Sequence, residues 1–272
     1  MDVIARNQVA VRGSGGPVLM FAHGFGCDQS MWQRVARNFE ADHRIVLFDH
    51  VGAGASDISA YTEAKYGSLQ GYADDAIEIC AALGLGPVIF VGHSVSATIG
   101  VLAAVKRPDL FAGLILVCPS PRYTNTDCYT GGFDERDIEE LLTLMDINQL
   151  DWSATMAPVV MGAGAEAAIQ TDWRESVCRT DPGIAKAFAR VTFTSDHRGE
   201  YRQVITPTLI VACSDDMLAP QTVSSFVHEA IAGSRLVTLD ATGHCPHMTH
   251  PDETIAAIRD YLAARGAMPS AA

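Results

Sequence analysis

The sequence predicts an α/β fold: a mostly parallel central sheet flanked by helices, with a helical cap inserted late in the chain. Three observations predict it. Six short apolar runs, rich in β-branched and aromatic residues, recur along the 272 residues. Helix-patterned stretches separate them. One long segment, from about 123 to 195, keeps the helical pattern but has no apolar strand run.

The strand runs are "PVLMFA" (17–22), "RIVLFD" (44–49), "PVIFVG" (87–92), "GLILVC" (113–118), "PTLIVAC" (207–213) and "RLVTLD" (235–240). They are continuous rather than alternating, as expected of strands covered on both faces. Helical patterns fill 68–84, 95–106, 221–232 and 252–265. Strand, helix and strand in repetition imply parallel pairing with helices on both sides. "VIARNQVAV" near the start is expected to add an antiparallel edge. Within 123–195, "FDERDIEELLTLMDINQLDWSATMAPVVMG" reads as helix, loop, helix. Two further helices follow, and Asp181-Pro182 marks the start of the last. Several helices between two strands suggest a cap over the sheet's carboxyl edge, where open α/β sheets bind ligands. The core is then 1–122 and 196–272. The tail "RGAMPSAA" is expected to be disordered.

Composition narrows the function. An apolar content of 48% over this length supports one large core. With 19 basic and 32 acidic residues the formal charge is -13. A nucleic-acid partner is not expected, because phosphate binding needs clustered Lys and Arg. No run approaches the roughly 20 apolar residues of a membrane span, and no secretory pattern opens the chain. Seven cysteines without a CxxC pair suggest reduced thiols and a cytoplasmic location. Cys80, Cys118 and Cys213 read as small buried side chains.

The chemistry centres on "VIFVGHSVSATIG" (88–100). A serine hydroxyl needs an adjacent base, and the base an orienting group. A buried strand, a tight turn and a helix would lift Ser94 to the sheet edge, as in the G-x-S-x-G nucleophile elbow. Gly92 meets the need for a small residue two before it, and Ser96 stands where the second glycine is usual. Choosing Ser96 as nucleophile would put Ser94 in the first glycine's place and end the strand two residues late. The base should follow a late strand. His244, in "DATGHCPHMTHPDE", fits best, with His247 and His250 as competitors. The histidines lack a metal-site spacing, so no metal is expected. The acid should come from "SDDMLAP" (214–220), where Asp215 and Asp216 are neighbours and only one can face the imidazole. Oxyanion donors are expected at Val95 N–H, after the serine, and at Phe25 N–H, in the glycine-flanked turn "HGFGCDQ". "DHVGAGASD" (49–57) lacks both the dinucleotide and the P-loop spacing and reads as a plain loop.

Taken together, "HGFGCDQSMW", "FDHVGAGASD", "GHSVSATIG", "RPDLFAGLILVCPSPRY", "TSDHRG" and "GHCPHMTHPDE" resemble the α/β-hydrolases grouped around the bacterial sigma-B stress regulator RsbQ. They are also similar to the plant strigolactone and karrikin receptor hydrolases. In that family G-H-S-V-S is a common form of the elbow. The resemblance implies a catalytic triad of Ser94, Asp216 (four residues before Pro220) and His244, with oxyanion donors at Phe25 and Val95. It implies a four-helix cap over a deep apolar pocket lined by Phe25, Tyr123, Trp152 and Phe193. Met156 stands where relatives often carry a second aromatic, implying a softer pocket. The expected reaction is cofactor-free hydrolysis of a small apolar ester or lactone, butenolide-like compounds included. Ligand sensing with a signalling phosphatase-type partner is the alternative, and carbon–carbon bond hydrolysis a third reading.

Overall fold

A computed structural model describes residues 2–162 and 164–266. Seven strands form one sheet in the order β1-β3-β2-β4-β5-β6-β7. They are β1 (Ala10–Arg12), β2 (Val18–Ala22), β3 (Arg44–Phe48), β4 (Val88–His93), β5 (Phe111–Val117), β6 (Thr208–Asp215) and β7 (Arg235–Thr242). All neighbours pair in parallel except β1, which runs antiparallel to β3.

Alternate residues of each central strand feed two different cores. Met20, Val46, Phe90 and Leu116 face one side, packing with helices Leu69–Ala82 and Val95–Lys106. Leu19, Ile45, Val91 and Ile115 face the other, with Trp32, Phe39 and helix Pro251–Gly266. Each such buried side chain contributes roughly 1.5–3 kcal/mol, so an unbroken apolar strand is the only kind that fits here. Cys80, Cys118 and Cys213 are buried as expected.

Two expectations need correction. In "VIARNQVAV" only Ala10–Arg12 is strand, because Val3–Arg6 forms a short helix capped by Asp2. Strand β7 is not covered on both faces: as an edge strand it exposes Arg235, Thr238, Asp240 and Thr242. The tail expectation falls mostly outside the described residues, at 267–272; Arg265 and Gly266 end the last helix.

Between β5 and β6 lie four long helices, Glu135–Ile147, Gln149–Met161, Ala167–Arg179 and Pro182–Thr194. Asp181 caps the fourth by accepting from Ile184 N–H, with Pro182 in the first turn. These helices share a separate apolar cluster built on Trp152, Trp173, Met145 and Val177. No helix among the described residues is long and apolar enough to cross a membrane.

Candidate active site

Strand β4 ends at His93, and the chain turns sharply at Ser94 into helix Val95–Lys106. Ser94 has φ 56° and ψ -122°, a conformation that L side chains rarely adopt. Such a residue stores about 1–3 kcal/mol of strain. The turn is held from both sides: Ser94 N–H donates to Val117 O at 2.8 Å, and Ser94 O accepts from Ala97 N–H at 2.9 Å. Gly92 is required by space, since a Cβ there would lie 2.4 Å from Ser96 O.

Three side chains from separate loops meet at this turn. Ser94 Oγ–H donates to His244 Nε2 at 2.7 Å, and His244 Nδ1–H donates to Asp216 Oδ2 at 2.7 Å. Asp216 Oδ1 accepts from Leu218 N–H (2.8 Å) and Ala219 N–H (3.1 Å). Burial alone would raise the Asp216 carboxyl, but the facing His244 imidazole and those two N–H groups outweigh it and hold it below the ordinary carboxylate range. Asp216 is buried whereas Asp215 is exposed, so of the two neighbouring acids Asp216 is the one at the imidazole. The tautomer is set by its partners: Nδ1 carries the proton and Nε2 is free to receive one. Tyr123 adds a hydroxyl 3.3 Å from Ser94 Oγ.

The competing histidines do other things. His247 is fully buried, its ring tilted against Trp32 and against His93 with centroids 4.4 Å away in each case, and burial pushes its imidazole down to about 3. Neither of its ring nitrogens has a partner among the described residues. His250 lies at the start of the last helix, where Nδ1 meets Thr249 Oγ1 at 2.9 Å. Cys118 Sγ, an Asp216 oxygen and a His244 nitrogen lie within 4.8 Å of one another. The neighbouring Cys213 thiol and burial push the Cys118 thiol well up, so it is not a ready thiolate ligand.

The loop Gly24–Phe25–Gly26 closes over the turn. A Cβ on Gly24 would lie 2.4 Å from His93 Nδ1 and 3.3 Å from Ser94 Cβ. Gly26 has φ 71° and packs on Val177 and Trp173. Among the described residues, neither Phe25 N–H nor Val95 N–H donates to a protein acceptor.

Sequence reasoning missed how this loop is held. Ser96 is more than a small spacer: its hydroxyl donates to His23 O and accepts from His50 Nε2–H at 2.7 Å. His50 N–H in turn donates to His23 Nε2 at 3.1 Å, and His23 Nδ1–H to Gly24 O at 2.9 Å. The loop "DHVGAGASD" thus reaches the site through His50. In that loop Gly54 packs on the Asp49 carboxylate, which accepts from Gln29 N–H and Ala55 N–H, while Gly52 packs on Ile184. The only sequence signal for this network was a serine and a histidine at positions where apolar residues would have packed. Equally hidden is a main-chain bond: His244 N–H donates to Val160 O of helix Gln149–Met161 at 2.7 Å. Gly162 and Gly243 allow that contact, since a Cβ on Gly243 would lie 2.5 Å from Met161 O.

Above the triad is a narrow cavity, of which about 30 Å³ can hold the centre of a water molecule. It is lined by Phe25, Tyr123, Trp152, Met156, Thr192 and Phe193 together with Ser94 and His244. The rings interlock: Phe25 lies 5.8 Å from Trp152 and 5.9 Å from Phe193, and Tyr123 lies 5.0 Å from Phe193. Trp152 and Phe193 thus pack in the helical segment and also face the cavity.

Comparison with known proteins agrees with this architecture. Residues 19–257 match the model of the alpha/beta hydrolase family. The chain is 37% identical to karrikin insensitive 2 receptor IA of Petunia hybrida, over 91% of this chain and 90% of that protein. It is 35% identical to the strigolactone esterase D14 of Arabidopsis thaliana, over 96% and 98%. A solved hydrolase from Oleispira antarctica superposes with a TM-score of 0.94 at 39% identity, covering 96% of each chain. A strand–turn–helix elbow, a seven-stranded sheet of this order and a family match over most of the length lead to one conclusion: the chain belongs to the alpha/beta hydrolase family.

Proposed function

We propose that this protein is a serine hydrolase of small, mainly apolar carboxylic esters or lactones, related in role to the RsbQ-type and butenolide-receptor hydrolases. One observation carries the reading. At a strained turn, Ser94 Oγ is 2.7 Å from His244 Nε2, whose other nitrogen is 2.7 Å from the buried Asp216.

His244 Nε2 takes the Ser94 proton as Oγ attacks the substrate carbonyl. Phe25 N–H and Val95 N–H receive the oxyanion; losing one such donor ordinarily costs about 10²–10³ in rate. Asp216 keeps the imidazole in the required tautomer and balances its charge in the transition state. His244 then protonates the leaving alcohol, or, with a lactone, the ring alkoxide. It next draws a proton from a water that cleaves the acyl-serine. The segment 123–195 acts as the cap, and its aromatic wall selects apolar substrates. The cavity has room for the centres of only about two water molecules, so a ring-sized substrate requires side chains to retreat. Met156, with three rotatable bonds, is the one suited to do so.

The test is hydrolysis of 4-nitrophenyl acetate and butyrate with a fluorophosphonate probe in parallel. The expected results are turnover, loss of turnover in Ser94→Ala, and a probe adduct on the Ser94 peptide by mass spectrometry. Undiminished turnover in Ser94→Ala, or an adduct on Ser96, overturns the assignment.

One observation favours a second reading, in which slow turnover serves ligand sensing and a signalling phosphatase-type partner reads the cap. The His244 N–H bond to Val160 O ties the base directly to a cap helix. A shift of that helix on ligand binding would then be felt at the triad, and the reverse.

A further inference from the structure

Among the residues that line the cavity, Thr192 is out of keeping. It sits on helix Pro182–Thr194, next to Phe193, and is 3% exposed. A threonine in a helix ordinarily turns its hydroxyl to the carbonyl one turn back, as Thr194 does to Arg190 O at 2.7 Å. Thr155 and Thr171 do the same, at 2.9 Å each. Thr192 does not. Its Oγ1 is buried and has no hydrogen-bond partner among the described residues. A hydroxyl left without a partner away from water costs free energy, and buried polar groups are nearly always paired. The hydroxyls nearer the reacting centre, Ser94 and Tyr123, are already engaged with each other and with His244. Thr192 therefore holds both a donor and an acceptor in reserve, whereas the other unpartnered groups on the cavity wall, Trp152 Nε1, Trp173 Nε1 and His93 Nδ1, each offer only one of the two; Phe25, Met156, Phe193 and Leu218 supply apolar wall around it.

We propose that Thr192 is a specificity residue, and that its unpaired hydroxyl takes a second oxygen of the substrate, one not belonging to the scissile carboxyl group. This rests on the ester- and lactone-hydrolase reading and narrows it. The substrate is a compact ring whose carbon skeleton fills the apolar walls and whose ether or carbonyl oxygen meets Thr192. A pure hydrocarbon acyl group leaves the hydroxyl as unpaired as it is in the free protein. A ring with the matching oxygen gives it the bond it lacks. Sites that hold an unpaired polar group discriminate strongly against analogues that fail to pair it.

The experiment uses matched 4-nitrophenyl esters: cyclohexanecarboxylate and the tetrahydropyran-2-, -3- and -4-carboxylates, in which one ring CH₂ becomes an ether oxygen. In the wild-type protein kcat/KM for at least one oxa-ester is expected to exceed that of the carbocycle by about tenfold, the size of one hydrogen bond. Thr192→Val should bring the ratio to about one or below, and Thr192→Ser should retain it. Superimposable circular dichroism spectra and a single cooperative thermal transition for all three proteins show that the variants fold. The matching ring carboxamides, titrated calorimetrically into the same three proteins, read the preference without turnover. Equal ratios in wild type and Thr192→Val, by turnover and by binding, overturn the role of Thr192. Absence of turnover with a Thr192-dependent binding preference leaves Thr192 in place and overturns the hydrolase reading instead.

Discussion

On the sheet side of the cavity, Ser94, His244 and Asp216 pass hydrogen bonds to one another, and the last is anchored on Leu218 and Ala219 N–H. On the cap side, Trp152 Nε1 and Thr192 Oγ1 are buried with no partner among the described residues. On the proposed hydrolase reading, the difference separates two tasks. Groups that move protons are pre-paired, so that no reorganisation is needed during reaction. Groups that recognise are left open, at a cost to the fold, until a ligand arrives. Changes on the sheet side should therefore act on rate, and changes on the cap side on selectivity and stability.

The largest expected effect is on the sheet side. Asp216→Asn keeps the shape but offers an amide where the carboxylate accepted His244 Nδ1–H. The imidazole is then held in the wrong tautomer, and kcat on 4-nitrophenyl acetate should fall by about 10⁴-fold. A variant with near-native kcat would mean that the pre-paired chain is not what makes this wall reactive.

A smaller effect of the same kind is expected one layer below. Ser96→Ala removes the hydroxyl that holds His23 O and receives His50 Nε2–H. The loop carrying Phe25 loses an anchor without losing a reacting group. We expect kcat to fall by about 10- to 100-fold with KM unchanged, a partial form of losing an oxyanion donor. Equal changes in both constants, or a lower melting temperature with normal kcat, would assign Ser96 to packing alone.

Pairing also sets how the fold meets acid. His247 lies against Trp32 and His93, and burial holds its imidazole near 3 rather than the ordinary 6.5. As pH drops below 6.5 the unfolded chain takes up this proton while the folded chain does not, so stability declines steadily toward pH 3. Between pH 7 and pH 5 this one residue accounts for about 2 kcal/mol. Replacing it by Phe should remove that share of the pH dependence, read as a smaller difference between denaturant midpoints at the two pH values. An unchanged difference would place the acid sensitivity in His50 and His93, whose imidazoles burial also holds well down.

The central strands and the elbow were legible because both are written locally. An apolar run such as "PVIFVG", short and rich in β-branched residues, reads as a strand buried on two faces, and Gly92 two residues before Ser94 marks a turn that has no room for a Cβ. The choice between Asp215 and Asp216 was not local. It depends on which way one loop peptide turns, and in the structure that is settled by Leu218 and Ala219 N–H closing on Asp216. The network of His23, His50 and Ser96 was illegible for the same reason, since its members lie 27 to 73 positions apart. The Val160 carbonyl carries no side-chain identity at all. Thr192, read only as part of a helix, gives no hint that it breaks the habit of its neighbours.

The finest test of the comparison is the stability of Thr192→Val in the absence of any ligand. If the hydroxyl is truly unpaired in the free protein, its removal returns the desolvation cost of one polar group, about 1 kcal/mol, while valine keeps the branched shape. For a chain of this size that is a rise of roughly 2–4 °C in melting temperature. The same variant is expected to lose selectivity between ring substrates, which would make the cap wall a place where recognition is held at the expense of stability. Tyr201 gives the control from the sheet side. Its hydroxyl is buried and paired with Thr98 Oγ1 at 2.9 Å, so Tyr201→Phe leaves a partner behind and should lower the melting temperature. If Thr192→Val and Tyr201→Phe shift it in the same direction, the Thr192 hydroxyl has a partner after all, and the two walls follow one rule.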